Sequence, residues 1–295
     1  MNPLRAKIEY TLVALLAWKA RWLPLWLSRA GMTFLGWLAA SMIGFRRKVA
    51  LENLRHSFPE LNKAQLISIY KRCWQHFARV GAELARLPRV DKSFINKNID
   101  LSSQVVLREA IDEGKGVIVV SGHFGNWEWM GGMMAKIGYP ITYVVTDQSN
   151  PLVDEWIDRM RISVGIEIIR RKDAIRGVLT TLKKGRVVAI LCDQDAGKTG
   201  AFTEFFGRPA STPRGPALFH LRTQAPMVFS CCPREASGKY RLITERMSFP
   251  DLNGDREHDE HAIMQQITTR LEKAVREYPE QWLWLHRRWK TKAEK

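Results

Sequence analysis

From about residue 116 onward, short apolar runs alternate with helical patterns, and few folds accept that order. Residues 117–120, 141–145, 166–169 and 187–191 are apolar runs of strand length, too short for helices. Between them, residues 127–136, 151–163 and 174–184 read as helices. Pro151 suits a first helical turn, and Gly185 suits a helix stop. Residues 213–223 read as a further helix, 227–232 and 240–244 as strands, and 261–277 as a last long helix. This order predicts an α/β fold with a largely parallel central sheet flanked by helices. Upstream, Asn62 with Gln65 three positions on is a capping-box signal. Leu66, Ile69, Tyr70, Cys73, Trp74, Phe77, Val80 and Leu84 then form a helical stripe ending before Pro88.

The amino-terminal part is different. Residues 8–45 are rich in Leu, Ala and Trp, interrupted by Lys19, Arg21, Pro24 and Arg29. Residues 30–45 carry no charge, but the run falls short of the ~20 residues that span a bilayer. Arg46, Arg47 and Lys48 follow, a cluster that marks a cytoplasmic side. A spanning helix, a re-entrant hairpin, an interfacial helix and a buried helix pair all fit this segment. We therefore divide the chain into an N-terminal membrane-anchoring segment, residues 1–48, and a second domain, residues 49–295. The formal charge of +16 and the 11 Trp against 6 Tyr suit anionic partners and a bilayer interface. The charge alone would also suit nucleic acid, but no recognition motif is present and the apolar segment argues against it. The four cysteines contain no Cys-x-x-Cys pair and read as free thiols.

In a parallel sheet the ligand site forms beyond the carboxyl ends of the strands. The positions after four successive predicted strands hold His123, Asp147, Arg170 with Arg171, and Asp193. His123 begins the stretch His123-Phe124-Gly125-Asn126-Trp127-Glu128. On one continuous helix, residues five apart lie about 140° apart and do not meet. Here Gly122 and Gly125 flank His123 in a turn, and Asn126 suits a helix cap, which puts Glu128 in the first turn. That geometry permits a His123–Glu128 hydrogen bond, in which a carboxylate fixes the tautomer of a general base. Backbone N–H groups around Gly125 would then hold an oxyanion. Glu128 equally suits a helix N-terminus for its own sake. No Gly-x-Ser-x-Gly is present, so a serine nucleophile is not indicated. Arg170 is a candidate phosphate ligand or one of a solvated pair, and Phe202, Phe205 and Phe206 either line an acyl groove or belong to the core. Asp193 and Asp195 lack a third ligand for a metal. Trp282, Trp284 and Trp289 read as a membrane-facing belt, a carrier-protein patch or packing residues.

The motifs taken together resemble the late acyltransferases of lipid A biosynthesis, within the wider glycerol-phosphate-acyltransferase-like superfamily. The matching pieces are Asn53-Leu54 with Phe58-Pro59-Glu60, Gly114-Lys115-Gly116-Val117-Ile118 leading into the His123 motif, Arg161 with Gly165, Asp193-Gln194-Asp195, Phe205-Phe206-Gly207 and Trp284-Leu285-His286-Arg287-Arg288-Trp289. The resemblance implies transfer of a fatty acyl chain from acyl-carrier protein to a hydroxyl of a lipid A precursor. It places the catalytic domain on the cytoplasmic face of the bacterial inner membrane. His123 is implied as general base with Glu128 as its catalytic partner. Asn126, Arg161, Arg170, Asp193 and Gln194 are the candidate substrate-binding residues. No metal and no cofactor are implied. An acidic carrier protein and an anionic glycolipid both suit a basic chain. The alternative is an acyl-CoA-dependent enzyme acting on another glycolipid, aminolipid or glycerolipid. The chain departs from the family at Tyr143-Val144-Val145-Thr146-Asp147-Gln148, where many members carry Tyr-Arg-Pro.

Overall fold

The computed structural model describes residues 2–293. In chain order, helices α1 (Pro3–Trp22), α2 (Leu25–Leu38), α3 (Arg47–Ser57), α4 (Lys63–Arg86) and α5 (Lys92–Asn98) precede strand β1 (Ile99–Asp100) and helix α6 (Gln104–Asp112). The alternating part follows with β2 (Val117–Ser121), α7 (Trp127–Lys136), β3 (Ile141–Val145), α8 (Pro151–Ile162), β4 (Glu167–Arg170), α9 (Ala174–Lys183) and β5 (Val187–Leu191). A hairpin of β6 (Ala201–Phe205) and β7 (Arg208–Thr212) comes next. Helix α10 (Gly215–Thr223), strands β8 (Met227–Cys231), β9 (Tyr240–Arg241) and β10 (Ile243–Arg246) and helix α11 (Arg256–Glu277) complete the order.

The central sheet has the order β10-β8-β2-β5-β3-β4, and only β10 runs antiparallel. Strand β2 lies in the middle and is buried at every position. Its Ile118 and Val120 join the core under α9, α10 and α11, while Val117 and Val119 join the core under α6 and α7. Burial on both faces explains why this strand reads as a continuous apolar run and not an alternating one. The predicted strands and helices of residues 117–191 reappear with ends shifted by a residue or so. The capping box at Asn62 and Gln65 forms as expected and starts α4.

The amino-terminal helices lie against α4. Pro24 separates α1 from α2, and a π-helical turn, Ala39–Ile43, follows α2. Ala17 and Ala20 of α1 pack on Ala82 and Ala85 of α4. No helix among the described residues is long and apolar enough to cross a membrane. Helix α2 has 14 residues and the five of the π-helical turn continue it directly, so its hydropathy, with Arg29 in its second turn, limits it as much as its length. A single spanning helix, one of the four readings of this segment, has no counterpart among the described helices: Pro24 separates α1 from α2, Lys19 and Arg21 fall in α1, and Arg29 falls in α2. The outward faces are nevertheless apolar: Leu12, Trp18, Trp22, Trp26, Phe34, Met42 and Ile43 are all exposed, Trp26 at 71%.

Candidate active site

Strands β2 and β5 are neighbours, with Ser121 opposite Leu191. Two residues beyond each of these positions stand His123 and Asp193, so adjacent strand ends bring them together. His123 Nδ1 lies 2.7 Å from Asp193 Oδ1. The backbone N–H of His123 donates to Asp193 Oδ2, also at 2.7 Å. Trp282 Nε1–H donates to that same oxygen at 2.8 Å. Burial pushes the Asp193 carboxyl up, but its electrostatic interaction with the His123 imidazole and the hydrogen bonds from His123 and Trp282 outweigh it and hold the group below its ordinary range. A carboxylate so placed fixes Nδ1 as the protonated nitrogen and leaves the Nε2 lone pair free. Gln194 Nε2 approaches His123 Nε2 at 3.4 Å, the arrangement of a donor facing a lone pair.

The expected His123–Glu128 hydrogen bond is not made. Glu128, in the first turn of α7, is directed toward α8, where Arg161 grips it through two bonds, Nε–Oε2 at 3.0 Å and Nη2–Oε1 at 2.5 Å. Trp127 Nε1–H donates to the same carboxylate at 3.0 Å. Burial lowers the affinity of the Arg161 guanidinium for its proton, but Glu128 more than compensates and holds it above its usual value.

The loop that carries His123 is anchored from below. Gly125 has φ +60°, and a Cβ there would stand 2.4 Å from the Cys232 carbonyl oxygen, so only glycine fits. The Gly125 N–H donates to the Gln281 carbonyl at 3.0 Å and the Asn126 N–H to the Cys232 carbonyl at 2.9 Å. These bonds take the N–H groups of Gly125 and Asn126 out of the oxyanion site expected around Gly125. The Gly125 carbonyl lies 2.9 Å from Nε2 of buried His76 on α4. Asn126 is fully buried, and both ends of its amide are engaged. Its Oδ1 accepts from the Trp129 N–H, and its Nδ2–H donates to Glu83 Oε2 at 2.8 Å. Asn126 thus caps α7 and does not line the cavity described below.

Glu83 is a buried node that also takes Arg234 at 2.7 and 2.8 Å and Arg29 of α2 at 2.7 Å. Burial pushes the Glu83 carboxyl up, but these cations and hydrogen bonds win and hold it at about 2. Arg170 is likewise paired, with Asp147 at 3.2 Å, Asp154 at 2.9 Å and Asp158. Three carboxylates around one guanidinium make Arg170 a tie between β4 and α8, away from the cavity. Asp195 turns from Asp193 toward the chain end, accepting from the Thr291 N–H and hydroxyl. Phe205 and Phe206 are core residues, as are Trp282, Trp284 and Trp289.

His123, Trp127, Glu128, Arg161 and Gln194 all line one cavity of about 1120 Å3. Its walls are largely apolar, from α4, β3, α8, α9 and α10, with Arg171, Arg214, Arg222 and Arg256 also on its lining. A base with one lone pair, a buried cation and a roomy chamber with apolar stretches of wall can activate a hydroxyl next to a hydrocarbon chain. Reasoning along the sequence missed Glu83, His76 and Trp282 as supports of this site. It gave Asp193 no link to His123, although both residues closely follow predicted strands and stand two residues beyond the ends of β2 and β5.

Residues 2–291 match the family model described as bacterial lipid A biosynthesis acyltransferase. Among relatives, the chain is 29% identical over 269 residues to the lipid A biosynthesis palmitoleoyltransferase of Escherichia coli (strain K12), covering 88% of this chain and 84% of the relative. It is 28% identical over 268 residues to the lipid A biosynthesis lauroyltransferase of the same organism, with the same coverage. It is also 25% identical over 217 residues to the phosphatidylinositol mannoside acyltransferase of Mycolicibacterium smegmatis (strain ATCC 700084 / mc(2)155), covering 72% of this chain and 69% of the relative.

Proposed function

The chain belongs to the bacterial lipid A biosynthesis acyltransferase family and is an acyltransferase, and from that premise we propose that it moves a fatty acyl chain from an acyl-carrier-protein thioester to a hydroxyl of a lipid A precursor. One observation carries the chemistry. His123 has Nδ1 held by Asp193, and its ring borders a cavity of about 1120 Å3. The acceptor hydroxyl places its oxygen on the thioester carbonyl carbon while His123 Nε2 takes its proton. The C–S bond then breaks, and the imidazolium returns the proton to the departing thiolate. Asp193 stabilises the imidazolium between these steps. Arg161, held in place by Glu128, presents positive charge to the oxyanion or to a phosphate of the acceptor. Gln194 orients the acceptor beside Nε2. The geometry supports Asp193 as the orienting carboxylate and Glu128 as the holder of Arg161.

The location proposed for this reaction is the cytoplasmic face of the bacterial inner membrane. Residues 1–48 serve as the anchoring segment, and residues 49–295 carry the catalysis. The exposed apolar faces of α1 and α2 support an interfacial attachment. The decisive assay offers labelled acyl-carrier protein and acyl-CoA to purified protein with a tetra-acylated lipid A precursor and other lipid acceptors. Transfer to the precursor that His123→Ala abolishes supports the reading. Transfer that survives in folded His123→Ala removes His123 as the base. A preference for a mannoside or glycerolipid acceptor would replace the acceptor proposed above.

A further inference from the structure

Phe77, Val80, Gly81 and Leu84 of α4 face the cavity at spacings of three and four residues. Gly81 is out of place there on local grounds. It lies inside a 24-residue helix, where glycine is destabilising relative to alanine. Its φ is not among the positive ones, so the backbone does not require glycine. Packing does not require it either, because a Cβ built at Gly81 meets no heavy atom within 4 Å. Gly36 of α2 is the contrasting case: a Cβ there would stand 2.7 Å from Gln75 Cα, so close contact of α2 with α4 accounts for it. Gly81 is exposed, and its missing side chain leaves open the part of the cavity that it borders.

The place of that opening has chemical meaning. The Phe77 ring lies 5.9 Å from the Trp127 ring, which lies 5.2 Å from the His123 ring. Gly81 is one helical turn further on, about 6 Å along the axis from Phe77, and Leu84 is about 10 Å from Phe77. Val144 and Ile157 line the same chamber. The α4 wall therefore leads from the Phe77 ring, linked through Trp127 to His123, along Val80, Gly81 and Leu84, a course that suits an unbranched hydrocarbon tail with its carbonyl at His123. We propose that Gly81 is a specificity-determining residue, over which the transferred acyl tail of the donor passes, and that its lack of a side chain sets the longest tail accepted. The assignment rests on the acyl-transfer reading above and adds the residue that reads chain length.

The test uses the full chain in detergent, with carrier-protein donors that differ only in the length of a saturated acyl group and one fixed acceptor. In Gly81→Leu the ratio of kcat/KM for the longest to the shortest donor falls by about tenfold or more, as when a pocket loses room for methylenes. Gly81→Ala shifts the ratio the same way by less, and it raises Tm by ~2 °C through helix propensity. Should Gly81→Leu not fold, Gly81→Ala carries the test alone. An unchanged donor-length ratio in the folded variants overturns the proposal. So does a shift that follows the chain length of the acceptor at fixed donor, which would assign the wall to the acceptor. Loss of transfer in His123→Ala, run alongside, separates failure of this proposal from failure of the acyl-transfer reading.

Discussion

Asp193 holds His123 twice, through the backbone N–H and through ring Nδ1, each at 2.7 Å. Two bonds from one carboxylate fix both where the loop starts and how the ring turns. Asp193→Asn keeps the shape but offers an amide in place of an acceptor pair, so the ring loses its preferred tautomer. Transfer is expected to drop by ~10³-fold or more in kcat, with KM for the donor changed little. Steady-state kinetics beside a thermal melt check this. A folded variant with kcat within tenfold of the parent would exclude Asp193 as the orienting group.

Glu128 and Arg161 form a buried pair, their side chains 5% and 14% exposed. Removing one partner of such a pair strands the other and costs about 3–5 kcal/mol. Arg161→Ala is therefore expected to lower stability strongly, and Glu128→Gln less, because the amide still accepts from Trp127. If Glu128 acts only by positioning Arg161, their effects on kcat are strongly non-additive in a double-mutant cycle. Additive losses would give Glu128 a separate part in the chemistry.

The strands and helices of residues 117–191 were legible because each is a local pattern: Val117 to Val120 sit between two cores, and α7 starts at its Asn126 cap. The partner of His123 was not legible, since it depends on β5 returning to lie beside β2, a lateral order that no local pattern encodes. Glu128 drew attention by proximity in sequence, but the first turn of α7 directs it to α8. The β6–β7 hairpin escaped notice because Phe205 and Phe206 read as lining or core without indicating a turn, although Phe206 itself has φ 52°. Helix α11 starts at Arg256, five residues before the expected start, because its first turn is charged and shows no apolar stripe.

The exposed apolar residues of α1 and α2 predict membrane attachment that depends on individual side chains. Trp26 is among the most exposed of them, at 71%. Inserting a large apolar side chain into the interface is worth about 1.5–3 kcal/mol, so Trp26→Arg is expected to weaken binding to neutral vesicles about tenfold or more, and to anionic vesicles less, because the added charge offsets part of the loss. Sedimentation with vesicles of anionic and neutral lipid measures the partition. Tryptophan quenching by brominated lipids reports depth. Equal binding to neutral vesicles by the parent and Trp26→Arg would show that this face is not the one that enters the bilayer.

His76 ties the His123 loop to α4 through the Gly125 carbonyl and is almost wholly buried. Burial and the nearby Arg234 and Arg79 outweigh the Gly125 bond and the Glu83 charge, holding its pKa down at about 3, against an ordinary value of 6.5. The unfolded chain therefore binds a proton at His76 between these values and the folded chain does not. The stability from this group is fully present above pH 6.5 and is lost as pH falls toward 3, at about 1.4 kcal/mol per pH unit. His76→Gln keeps a donor for Gly125 without a titrating group, so its stability should fall with acid by one proton less. Denaturant unfolding of both proteins from pH 7 to pH 4.5, roughly the window in which only the unfolded His76 is charged, measures the two slopes. Parallel slopes would mean that His76 takes up its proton in the folded protein. The Gly125 carbonyl would then be held by an imidazolium, and the loop that positions His123 would rest on a charge and not on a neutral donor.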